Sequence, residues 1–183
     1  MNKKMLMLVA GLAALTTAGC AGPSVSGTTE SRDSRDMPEW SLNRPVVEGM
    51  IFGVGQAKKQ NPSLAKTVAA QRAREEIAST VKVKVESLVK DFMQESGIGY
   101  NAKALEFTQS VSKGVTDATL TGAMIKEAFL ARDGTYFVLM EYSLDNARRA
   151  AIESARQEEA AWSEINSDRG FEALEAELAK LRY

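Results

Sequence analysis

The chain has 183 residues, with 23 Lys and Arg against 24 Asp and Glu, no histidine and a single cysteine, a length that suits one ordinary domain with a tail or two. With no imidazole and one thiol, a zinc site of His and Cys, Cys–His or Ser–His–Asp catalysis and an internal disulfide framework are all excluded. A formal charge of −1 provides no global basic field, so nucleic acid is not expected as a partner.

The amino terminus reads as an export signal. Lys3 and Lys4 are followed by an apolar run from Met5 to Leu15 and by small residues at Thr16-Thr17-Ala18-Gly19. The apolar run falls short of the roughly 20 residues of a transmembrane helix, so residues 1–19 are expected to be a removable signal peptide. Thr17-Ala18-Gly19-Cys20 resembles the bacterial lipobox, with Thr17 standing where Leu is usual. In that motif the cysteine thiol is acylated, and the chain is cut just before it. The competing reading is an ordinary secretory signal with a chance cysteine. Acyl chains of the palmitate kind would anchor the protein stably, since each buried methylene contributes about 0.8 kcal/mol. Ala21, where Asp would retain a lipoprotein at the inner membrane, implies delivery to the outer membrane. Cleavage removes Lys3 and Lys4 and no acid, leaving a mildly acidic mature chain. Residues 20–37 are rich in Gly, Ser, Thr and charge without apolar periodicity, as expected of a flexible tether.

Pro38-Glu39-Trp40 opens the ordered part, expected as an α+β body over 38–150 followed by a helical extension over 151–183. The Trp40 ring is expected to plug a core edge, with ligand stacking as the alternative. Gly49 to Ala57 reads as a strand. Gly53 and Gly55 make a partial phosphate-loop pattern without the remaining glycine or a Gly-Lys-Ser/Thr, so close approach to a crossing helix is the favoured role. Asn61-Pro62 starts a helix, with Leu64, Val68, Ala73, Ile77, Val81, Val85, Leu88 and Phe92 on its inner face. Within it Thr80 to Glu86 alternates with period two, a strand signal. No Gly or Pro interrupts Ser63–Ser96, which favours one long helix. Asn101 to Ser112 is expected as a short helix with Ala102 and Leu105 inward. Thr116 to Leu130 and Thr135 to Tyr142 flank Asp133-Gly134 as a hairpin, the second run being apolar on both faces like a central strand. Ser143 to Ile165 returns to helix, with Leu144, Ala147, Ala151, Ala155, Trp162 and Ile165 inward. A last helix places Phe171, Leu174, Leu178 and Leu181 on a stripe for core packing or, alternatively, for oligomerisation.

The carboxylates available for catalysis are Glu39, Glu75, Glu76, Asp91, Glu95 and Asp133. Glu75 and Glu76 lie beside Arg72 and Arg74 on a helix face where solvated pairs are routine, and Asp133 is turn chemistry. No catalytic residue, metal ligand or cofactor site is expected, and the chain reads as a non-enzyme.

Pro38-Glu39-Trp40, Gly53-Val54-Gly55-Gln56-Ala57, Arg72-Ala73-Arg74-Glu75-Glu76, Val81-Lys82-Val83-Lys84-Val85, Leu120-Thr121-Gly122 and Gly134-Thr135-Tyr136-Phe137-Val138, in this order after a lipobox, resemble the LPP20 family of bacterial lipoproteins over roughly residues 38–150. The resemblance implies an exported, lipid-anchored α+β protein with a long helix against a small antiparallel sheet of about three strands, and it brings no catalytic residues. Some members are surface antigens, and others, of the flagellar FlgP type, assemble around the motor at the outer membrane. A structural or assembly subunit of the envelope is therefore expected, with a motility role as one form of it, and with the membrane, envelope proteins or a second copy as partners. The alternative is a periplasm-facing ligand-binding module built around Trp40 and Gly53–Gly55.

Overall fold

The computed structural model describes residues 36–97, 101–158 and 168–181. Its elements, in order, are α1 (Glu39–Leu42), β1 (Met50–Lys58), α2 (Pro62–Glu95), α3 (Ala102–Gly122), β2 (Met124–Leu130), β3 (Thr135–Ser143), α4 (Leu144–Gln157) and α5 (Asp168–Leu178). The fold is α+β: one antiparallel sheet in the order β1-β3-β2, packed on α2 and followed by helices.

The long helix starts where the sequence says. The Asn61 side-chain oxygen accepts from the Ser63 and Leu64 N–H groups at 2.9 and 3.3 Å, and Pro62 sits in the first turn, where an N–H has no partner to lose. Thr80 to Glu86 is helical despite its strand-like alternation. Ile77, Val81, Val85 and Val89 are all fully buried, four residues apart on one stripe. A strand would instead have aligned Val81, Val83 and Val85, and Val83 is exposed. Packing of that stripe outweighs the few tenths of a kcal/mol by which valine disfavours helix. One position differs from the sequence reading: Leu64 is exposed, while Val68 and Leu88 are half-buried against the core and Ala65, Ala69 and Val89 are buried beside them.

The second helix is longer than expected and turned differently. It runs through Lys113-Gly114 to Gly122, buries Ala104, Phe107, Thr108, Val111, Ser112, Val115 and Thr119, and leaves Ala102 and Leu105 exposed. Gly114 is a contact point with α4, not a helix break: a Cβ there would lie 1.9 Å from Ser154 Oγ. The β-branched threonines are absorbed because their hydroxyls donate to carbonyls one turn back, Thr108 to Ala104 and Thr119 to Val115 at 2.8 Å each.

The hairpin forms around Asp133-Gly134. Gly134, at φ +84°, donates to Ala131 O at 2.9 Å, and Ala131 N–H donates to Thr135 O at 2.8 Å. This is the compact loop with a left-handed glycine that matches strand twist. β3 is the central strand, buried along Phe137 to Met140. α4 buries Leu144, Ala147, Ala151 and Ala155. The α5 stripe resolves toward core packing: Leu174 and Leu178 are buried and the helix rests on α2 and α4. Trp162 and Ile165, the signal peptide and most of the tether lie outside the described residues.

Candidate functional site

Cys20 also lies outside the described residues. The other candidate positions are placed clearly. Gly53 and Gly55 belong to the β1 row Ile51, Gly53, Gly55 and Ala57, whose alternation turns it toward α2. A Cβ at Gly53 would lie 2.3 Å from Ala73 O, and one at Gly55 would lie 1.9 Å from Ala69 O and 2.6 Å from Ala73 N. Strand and helix backbones are therefore in contact, and the space a phosphate would need is filled by α2. Trp40 sits in α1, which lies against β3. It is half-buried and does not fill a core edge, since α1 contributes no buried residue and Trp40 is not among the half-buried hydrophobics that pack on the core.

The carboxylates are used structurally. Glu75 is exposed and accepts from Gln71 Nε2 at 2.9 Å. Glu76 differs from the expected solvated pair. One of its oxygens accepts from Val54 N–H at 2.8 Å, and the other pairs with Arg44 at 2.5 Å. One turn away on α2, Arg72 Nη1 donates to Gln56 O at 2.6 Å. Val54 and Gln56 lie opposite Leu139 and Phe137. Strand alternation points their backbone groups away from β3, so α2 closes the outer edge of β1 with its own side chains. Asp133 is held below the usual carboxylate range, first by the Thr135 backbone N–H at 2.8 Å, then by the Thr135 hydroxyl, with Lys58 adding to it. Glu177, 6% exposed, pairs with Lys180 at the end of α5, and that contact raises the Lys180 ammonium above its ordinary value.

Two shallow grooves flank α2. One is lined by Lys82, Glu86, Gln109, Lys113, Thr116 and Asp117, where Lys82 and Glu86 already pair at 3.8 Å. The other runs along Lys84, Ser87, Leu88, Lys180 and Leu181. Both mix charges of solvated helix faces without convergent, buried polar groups. Among the described residues no three His, Cys, Asp or Glu gather to hold a metal, and no helix is long and apolar enough to cross a membrane.

The sequence reading did not single out β2. Every residue of this strand is exposed, including Met124 (65%), Ile125 (44%), Phe129 (38%) and Leu130 (49%). α2 packs on β1 and β3 and leaves β2 as an overhanging edge. Lys126 forms a bulge between Ile125 and Glu127 and reaches across the sheet, its ammonium 3.0 Å from Glu141 and 4.8 Å from the centre of the Phe52 ring. The strand itself was legible from its apolar run before Asp133-Gly134. Its position at the edge was not, because strand order depends on β1, more than sixty residues earlier.

The model of the LPP20 lipoprotein family matches residues 38–143, more than half of the chain, and the chain belongs to that family. It is thus a lipoprotein associated with the membranes of the cell envelope. No curated protein and no solved structure matches it.

Proposed function

We propose that this LPP20 lipoprotein is cut before Cys20, acylated on that thiol and delivered to the outer membrane, where its body serves as a non-enzymatic structural or assembly subunit of the envelope. The observation that carries the reading is Thr17-Ala18-Gly19-Cys20 at the end of an export signal, joined by a polar tether to a family domain that begins at residue 38. The carboxylates with fixed structural partners support the non-enzymatic part. Glu76 closes a strand edge, Asp133 shapes a turn and Glu177 pairs beside α5, so each is committed to holding the fold. The partners in this reading are the membrane, through the acyl chains, and envelope proteins or a second copy. A motility role is one setting for such a subunit and is suggested by the family resemblance alone.

The test is Cys20→Ala in a two-membrane bacterium that processes lipoproteins. The wild-type chain is expected in the outer-membrane fraction and labelled by palmitate. The variant is expected to lose both while its purified body keeps the same circular dichroism and melting. A variant that stays in the membrane fraction refutes the anchor. Pull-down of the lipidated chain from crosslinked envelopes then identifies the assembly it joins.

A further inference from the structure

Closing one sheet edge while leaving the other open defines a surface for another strand. On β1 the outward Val54 N–H and Gln56 C=O are taken by Glu76 and Arg72. On β2 the alternation that begins with Ala131 N–H on Thr135 O turns the backbone groups of Ala128 and Leu130 outward. Among the described residues nothing takes them. An unpaired, apolar edge strand is a template for pairing.

We propose that β2 pairs antiparallel with β2 of a second copy of this chain, about a two-fold axis through Ala128, to make a continuous six-stranded sheet across a dimer. It deepens the assembly reading above and rests on it.

Three observations select a second copy in this register. The first is charge. Centring the pair on Glu127 sets the two Glu127 carboxylates against each other, and centring it on Phe129 brings Lys126 opposite Arg132 of the other copy. Centring it on Ala128 sets Phe129 opposite Glu127 in both directions and opposes no like charges, which cross-strand pairs disfavour. The second is area. Met124, Ile125, Phe129 and Leu130, each between 38% and 65% open, leave on the order of 400 Å² of apolar surface per copy, the size of patch that marks an interaction site. The strand alternation divides this surface between the two faces of the sheet, and pairing along the edge covers its flanks on both, an interface at the small end of the known range. The third is closure. An isologous pair uses β2 on both sides and leaves outside only the two β1 edges, across each of which Glu76 and Arg72 lie, so it stops at two. A lipid anchor confines the copies to one surface and raises their effective concentration.

The test uses the full chain in native envelopes. Cys20, when acylated, offers no thiol, so Ala128→Cys introduces the one thiol of the body. Facing residues of a bonded antiparallel pair have Cα atoms about 5.5 Å apart, within disulfide range. Mild oxidation is expected to give a reducible band at twice the chain mass, at least tenfold stronger than that of Gln56→Cys on the sealed β1 edge. Adding Phe129→Glu, which opposes carboxylates twice across the axis, is expected to abolish the band, with circular dichroism verifying the fold. A crosslink from Ala128→Cys no stronger than that from Gln56→Cys overturns the proposal, and so does a crosslink to a chain of different mass. Anchorage is read from the fractionation of Cys20→Ala, so failure of the anchor and failure of the pairing are told apart.

Discussion

Gly55→Ala tests the packing that organises the fold. The added methyl would lie 1.9 Å from Ala69 O, 2.6 Å from Ala73 N and 2.9 Å from Ala69 C. All three are backbone atoms of α2, so no side-chain rotation relieves them. The nearest contact must open to at least 3.0 Å, below which real Cβ atoms are essentially never seen. β1 therefore has to back away from the helix on which it rests. Overpacking a well-filled core costs about 1–3 kcal/mol. The same movement stretches the bonds from Val54 N–H to Glu76 and from Arg72 to Gln56 O, and hydrogen bonds to charged groups contribute about 1.5–3 kcal/mol each. Against this, alanine restricts the unfolded chain and returns about 0.4–1 kcal/mol. The expected loss is about 3–4 kcal/mol.

The assay is urea or thermal denaturation of the purified chain followed by circular dichroism, with Gly97→Ala as the comparison. Gly97 also lies outside helix geometry, at φ +73°, but faces open space, so alanine there costs only the left-handed backbone, about 1–2 kcal/mol. At about 2–4 °C per kcal/mol for a domain of this size, Gly55→Ala is expected to melt about 10 °C below the wild type and well below Gly97→Ala. If Gly55→Ala loses no more than Gly97→Ala, the close approach of β1 to α2 is refuted.

Glu76→Ala is expected to cost about 2 kcal/mol in the same denaturation experiment, because it leaves the half-buried Val54 N–H without its acceptor and frees Arg44, while the neighbouring Glu75→Ala stays within about 0.5 kcal/mol as an exposed position. Equal effects would return Glu76 to the solvated face. Asp133 has a depressed folded-state pKa, so its stabilisation is present above the ordinary carboxylate value of 3.8 and is lost as pH falls through the folded value. Asp133→Asn is accordingly expected to melt slightly lower than wild type at neutral pH, with the gap closing in acid, as read from melting temperatures across pH 2–7. A gap that does not narrow as pH falls from the ordinary value to 2 would contradict the Thr135 and Lys58 contacts as its source.

Local chemistry was the legible part of this chain. Asn61-Pro62, Asp133-Gly134 and the Leu174–Leu178 spacing each act within a few residues, and each appears where the sequence puts it. Gly53 and Gly55 were legible in role, since paired glycines without the rest of a phosphate loop point to backbone contact. The errors arose where distant partners decide. The second helix was expected to stop at Ser112, two residues short of Gly114, whose reason for being small, Ser154, lies forty residues away. Glu76 read as a surface acid because Val54 and Arg44 are brought to it only by the β1–α2 crossing. Trp40 read as a core plug because a large ring after a polar tether usually is one, while the covering element here proved too short to bury it.

The two sheet edges show how the same rule separates fold from function. Arg72 and Glu76 are four residues apart on α2 and meet the backbone of Gln56 and Val54, two residues apart on β1. The helix turn and the strand repeat are commensurate there, so one helix buries the face of β1 and seals its edge together. β2 lies one strand beyond the reach of α2 and has only its own devices. The bulge at Lys126 and the charged pair Lys126-Glu127 disturb its first half, which natural edges use against indiscriminate pairing. Ala128-Phe129-Leu130 then continues without charge, directly before the turn. About an axis through Ala128 the open half of each copy faces the disturbed half of the other, so the pairing stays short, which rules against open-ended aggregation and fits a defined dimer.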